Sequence, residues 1–184
     1  MNLKREQFNL EGVVQDAINN ISNSKEFQHI SKSVKIIFDR KIRTKHHDDN
    51  NNILVEADKG RIYQVISNLL SNAVKFTEEG VITVSIDTRL GSDDNGNGKQ
   101  RGQQEEEGGD AVVLVRDSGI GIDSEMFSRL FTKFASKSFE GTGLGLFISK
   151  KIIEVHGGKI WAENNENAKG ATFGFSLPLP PHLI

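Results

Sequence analysis

Two clusters of alternating glycines dominate the second half of the chain and limit what it can fold into. One reads Asp117-Ser118-Gly119-Ile120-Gly121-Ile122, the other Gly141-Thr142-Gly143-Leu144-Gly145-Leu146. Glycine accepts backbone angles and close approaches that a Cβ forbids. Each cluster therefore marks a turn, a hinge or a place where the backbone can come close to a ligand. The first follows a strand-like run, Ala111 to Arg116; the second opens into a helical pattern over 144–156, with Leu144, Phe147, Ile148, Ile152 and Val155 on one face.

The remaining elements follow from periodicity and punctuation. Leu10, Val13, Val14, Ala17, Ile18 and Ile21 recur at helical spacing. Val34 to Phe38 and Ile53 to Ala57 read as strands flanking a polar turn, and so as an N-terminal hairpin. Asp58 can cap a helix running to about Phe76, Val81 to Leu90 alternates as a strand, and a short helix is expected near 124–131. Residues 91–110 hold six glycines and no large apolar side chain, the composition of a disordered insert. Such an insert costs little if it joins neighbouring strands. Strands at 159–163 and 172–177 end at a proline cluster. The order predicts an α+β fold: a two-layer α/β sandwich with a mixed sheet of about five strands on three helices. At 184 residues and 36% apolar content the chain forms one domain, residues 10–180, with 1–9 a linker from a preceding helical domain and 181–184 a tail.

The helix 58–76 carries unusual chemistry. At about 100° per residue, Gln64, Asn68, Asn72 and Lys75 share a stripe beside an apolar face of Val65, Leu69, Ala73 and Phe76. Amide oxygens suit a hard cation and a lysine suits phosphate. Magnesium takes few protein ligands when phosphates and water supply the rest. An ordinary amphipathic helix with a solvated polar edge would read the same way.

Asp117, at a strand end, can accept a hydrogen bond from an exocyclic amine such as adenine's, and Gly119 and Gly121 let a flat ring approach the backbone; a plain turn remains open. Gly141 to Gly145 precede a helix, where unpaired N–H groups and the helix dipole favour phosphate; a flexible hinge remains open. The cluster is not a P-loop, since no Gly-Lys-Ser/Thr follows, and its spacing is not that of the dinucleotide fingerprint.

Taken in order, these motifs resemble the ATP-binding catalytic domain of sensor histidine kinases, in the GHKL superfamily with its Bergerat-type fold. Asn68 to Thr77 is similar to the N box, Asp117 to Ile122 to the first glycine box, Phe131-Thr132-Lys133-Phe134 to the phenylalanine box, and Gly141 to Leu146 to the second glycine box. The resemblance implies ATP and magnesium as ligands. Asn72 would coordinate magnesium with support from Asn68, and Lys75 would contact phosphate. Asp117, Gly119, Gly121, Ile122 and Thr172 would serve the adenine end. Gly141, Thr142, Gly143, Leu144, Gly145 and Leu146 would serve the phosphates. Residues 123–142 would form a mobile lid based on Phe131 and Phe134; the family often has an arginine there, and Lys137, at slightly shifted spacing, is the nearest basic residue. Hydrolytic relatives carry a glutamate where this chain has Asn68. An amide is no general base at neutral pH, so the resemblance implies γ-phosphoryl transfer to a protein histidine rather than rapid hydrolysis.

None of the five histidines sits in a phospho-acceptor motif. The acceptor is therefore expected on a separate histidine-containing dimerisation domain of the parent protein, with a response regulator receiver domain downstream and this domain monomeric in isolation. His46-His47-Asp48-Asp49 reads as a solvated turn in preference to a metal cluster. A net charge of −2 offers no basic footprint for nucleic acid. The chain has no cysteine and no apolar run of membrane-spanning length, which fits a cytoplasmic domain without membrane contact. The alternatives are a regulatory module that uses ATP occupancy as a switch, a serine-phosphorylating relative, and a structural domain that binds nothing.

Overall fold

A computed structural model describes residues 3–30, 32–40, 52–90, 109–134, 143–166 and 169–180. The elements are β1 (Glu6–Asn9), α1 (Leu10–Ser22), α2 (Lys25–Ile30), β2 (Val34–Asp39), β3 (Leu54–Ala57), α3 (Lys59–Phe76), β4 (Gly80–Leu90), β5 (Gly109–Asp117), a 3-10 turn at Ser124–Arg129, α4 (Gly145–Val155), β6 (Ile160–Asn164) and β7 (Ala171–Pro178). Five strands form one mixed sheet in the order β2-β4-β5-β7-β6. Helices α1, α3 and α4 pack together as a layer against it, giving the predicted α+β sandwich.

Local chemistry starts the two long helices. Asn9 caps α1 by accepting from the Glu11 N–H at 3.0 Å, and Asp58 caps α3 by accepting from the Arg61 N–H at 3.1 Å. The core then follows the expected periods. Ile62, Val65, Ile66, Leu69 and Leu70 of α3 are fully buried. They meet the inward residues of the sheet, where Val84 pairs with Val115 and Val115 with Phe173, and Ile86 pairs with Val113 and Val113 with Phe175. Each such side chain contributes roughly 1.5–3 kcal/mol on leaving water.

Several expectations are corrected. The N-terminal hairpin of Val34–Phe38 with Ile53–Ala57 does not form. β2 pairs in parallel with β4, and β3 pairs antiparallel with β1. The connection between β2 and β3 is far longer than the two to five residues of a hairpin loop, and alternation alone does not choose a partner. β1 lies within the expected linker 1–9 and is a strand of the fold. Phe76 is 43% exposed rather than in the core. The buried face of α4 is Ser149, Ile152 and Ile153, while Ile148 and Val155 point outward. An all-apolar stretch such as Phe147-Ile148 or Ile152-Ile153 gives no moment sharp enough to choose between faces offset by one residue.

His156 ends α4 and is 4% exposed. Its Nε2 accepts from the Asp58 N–H at 3.0 Å, and its Nδ1 lies 2.7 Å from the Ile152 carbonyl, which it can reach as a donor. The end of α4 is thereby tied to the start of α3. Among the described residues no helix is long and apolar enough to cross a membrane.

β4 and β5 are adjacent and antiparallel, with Leu90 opposite Gly109, so the insert joins neighbouring strands as expected, but Gly109 and Asp110, expected within it, are the first residues of β5. Residues 91–108, and His46 to Asp49, lie outside the described residues. Deleting residues 93–108 leaves Gly91-Ser92 as a two-residue link, a glycine-first pair suited to a type II′ hairpin turn. The deletion is expected to keep nucleotide affinity within twofold and the melting temperature within a few degrees. Calorimetric titration and a thermal melt check both.

Candidate nucleotide site

α3 is the floor of the site. Its apolar side is locked in the core, which holds Asn68 and Asn72 half-buried along the edge and leaves Lys75 exposed near the C-terminal end. The Lys75 ammonium lies 5.8 Å from the centroid of the Phe76 ring. Two loops meet this stripe at its ends. At the C-terminal end the Gly119 backbone lies against the Phe76 carbonyl so closely that any side chain there would overlap it, and the Ile120 N–H donates to that carbonyl at 3.3 Å. Two turns earlier Gly145 lies against the Asn68 amide, which would have to move to admit a Cβ there. The separation from residue 68 to residue 76 along the helix is about 12 Å at 1.5 Å per residue. One end therefore faces the first glycine cluster and the other the start of α4.

At the first end stands Asp117, 5% exposed. Its Oδ1 accepts from the Gly119 N–H at 2.9 Å and the Ala171 N–H at 3.2 Å. No described residue donates to its Oδ2. Burial pushes the carboxyl above its ordinary value, and the two backbone donors oppose that rise. The arrangement offers a buried acceptor oxygen beside a stretch of glycine backbone, which suits an exocyclic amine. Gly121 sits at φ +78, and its neighbour Ile122, half-buried, packs on the core.

Three residues outside the expected site set, Asn164, Asn165 and Gly170, hold this end together. The Asn164 side chain grips the Ile122 backbone at both groups, accepting from its N–H at 2.7 Å and donating to its carbonyl at 2.9 Å. Asn165 Nδ2 donates to the Asp117 carbonyl at 2.8 Å and to the Lys169 carbonyl at 3.0 Å, while its Oδ1 accepts from the Thr172 hydroxyl at 2.7 Å. Gly170, at φ +94, presses on the Asp117 carbonyl where any Cβ would collide. Asn-Asn followed within six residues by Gly was legible as turn chemistry; that the turn reaches back to Asp117 was not. Thr172, expected near the base, is adjacent to the Ala171 donor and has its hydroxyl engaged by Asn165.

At the other end the first turn of α4 begins with Leu144 as cap, and its side chain supplies no capping hydrogen bond. The first N–H groups of α4, beginning at Gly145 and half-buried Leu146, thus have no intrahelical acceptors, a setting suited to an anion. Gly143 precedes them at φ +64. Lys137, Gly141 and Thr142 lie outside the described residues. Phe131 is half-buried, whereas Phe134 is 73% exposed at φ +61. Among the described residues no group of three or more His, Asp or Glu could hold a metal. The donor set fits a cation held chiefly by phosphate and water, with Asn72 as the available amide.

Residues 57–181 match the family described as histidine kinase-, DNA gyrase B- and HSP90-like ATPase. Sensor histidine kinase WalK of Bacillus subtilis (strain 168) is 33% identical over 169 residues, which cover 84% of this chain and 25% of that protein. The chain thus spans about a quarter of that relative's length. The catalytic domain of histidine kinase ThkA superposes with a TM-score of 0.70 at 31% identity, covering 98% of this chain and 99% of that one. Histidine kinase ThkA in complex with the response regulator protein TrrA gives a TM-score of 0.66 at 30% identity, covering 98% of this chain and 43% of that one. The matched stretch takes in α3, both glycine clusters and β7, so the likeness runs through the site itself, and the chain belongs to the histidine kinase-, DNA gyrase B- and HSP90-like ATPase family, among its histidine kinase catalytic domains.

Proposed function

We propose that this chain is the catalytic and ATP-binding domain of a two-component sensor histidine kinase. It binds magnesium-ATP and passes the γ-phosphoryl group to a histidine on a separate dimerisation domain. The observation that carries the reading is Asp117: a buried carboxylate with one oxygen occupied by backbone donors and the other left to a ligand. Its Oδ2 would accept from the adenine amino group while Gly119 and Gly121 let the ring lie against the backbone. The stripe of Asn68, Asn72 and Lys75 would lead the phosphates to the start of α4. When bound, magnesium would neutralise phosphate charge. Asn72 would hold it, and Lys75 would add a positive charge nearby.

No carboxylate on that stripe can activate water, since position 68 is an amide. Catalysis would therefore rest on positioning and charge neutralisation, with the acceptor brought by another domain. The complex of ThkA with TrrA supports a response regulator receiver domain as the second partner. The same reading places the domain in the cytoplasm, as a monomer when isolated.

Asp117→Asn is expected to weaken binding of a non-hydrolysable ATP analogue roughly tenfold or more while the thermal melt stays cooperative, since a charged hydrogen bond is worth about 1.5–3 kcal/mol. Unchanged affinity by calorimetric titration would remove the adenine role. The raised Asp117 pKa also gives two opposite pH trends. The carboxylate is the acceptor, so affinity falls as pH drops through the raised folded value, above the range of an ordinary carboxyl. The folded state takes up that proton more readily than the unfolded chain, so this group's contribution to stability rises over the same window. Titrations and melts across pH, each compared with Asp117→Asn, read the two trends.

A further inference from the structure

We propose that Ser149 is a positioning residue for the phosphate end of the site, acting through Asn68. This inference rests on the nucleotide reading above. Asn68 Nδ2 donates to Ser149 Oγ at 3.0 Å, across 81 residues of chain. Asn68 Oδ1 lies against the Cα of Gly145, where a Cβ would overlap it. Gly145 and Ser149 are one turn apart on α4, so they present the same face to α3. One end of the amide is thus hydrogen-bonded to α4 and the other lies close to Gly145 one turn earlier, on the helix that opens the phosphate end.

The physical need is specific. The terminal torsion of an asparagine has a broad, roughly two-fold energy profile, so an untethered amide does not present its oxygen in one direction. The bond to Ser149 removes that freedom and leaves Oδ1 at the first turn of α4, beside N–H groups that have no intrahelical acceptor. An acceptor oxygen there can hold a cation-bound water or the cation itself; a rotated amide would offer N–H donors to a positive charge. Ser149 is 2% exposed among the apolar side chains of Ile152 and Ile153. Packing alone would favour alanine there, because a buried hydroxyl costs free energy unless it is hydrogen-bonded.

The test is a double-mutant cycle on the whole 184-residue chain. Wild type, Ser149→Ala, Asn68→Ala and the double variant are titrated with a non-hydrolysable ATP analogue, with and without magnesium, and melted thermally. The readout is the factor by which magnesium tightens binding. Ser149→Ala is expected to cut that factor about tenfold, the scale seen when the partner of a metal-site group is removed, while magnesium-free affinity stays within twofold. The double variant is expected to be no worse than Asn68→Ala alone, because Ser149 acts only through that amide. Equal losses with and without magnesium, or additive losses in the double variant, would overturn the inference and leave Ser149 a packing residue. A wild-type chain that binds no nucleotide would overturn the pocket reading and this inference together.

Discussion

The burial of one face of α3 is the constraint on which the site depends. Ile62, Val65, Ile66, Leu69 and Leu70 are all out of water. A helix advances a fixed angle per residue, so locking that face also locks where Asn68 and Asn72 stand. The two glycine loops then meet a rigid rail. Gly119 touches it at the Phe76 carbonyl and Gly145 touches it at the Asn68 amide. A side chain at Gly119 would push its loop off the helix backbone, whereas one at Gly145 would displace the Asn68 amide.

Asp117 shows how the fold prepares a charge for a ligand. Burial alone would drive the carboxyl towards its neutral form; backbone donors from Gly119 and Ala171 moderate that without using both oxygens. The donors come from the glycine cluster and from β7, and Asn165 and Gly170 hold those two pieces in place around the Asp117 carbonyl. In the proposed reading Asp117 would be an acceptor desolvated before a ligand arrives, which would leave little reorganisation at binding.

Much of this was legible in the residues. The long helices, the strands of the main sheet and the capping role of Asp58 follow from period and punctuation. Asp117 stood out because it ends a strand before Gly-x-Gly. The failures have physical causes. β2 and β3 each look like half of a hairpin, but their partners lie elsewhere in the chain, and alternation carries no information about partner choice. The face of α4 was misjudged because apolar pairs blur its period.

The chain's own residues determined the element order, the amide stripe, the glycine approaches and the absence of a base at position 68, because these are local properties of side-chain type and spacing. Only the tertiary structure decided that Ser149 meets Asn68, that Asn164 and Asn165 reach back to Ile122 and Asp117, and that His156 ties α4 to Asp58. Each of those contacts joins residues more than forty positions apart, and no periodicity reports a distance of that kind. It exists only once the sheet has ordered its strands and the helices have been laid across them.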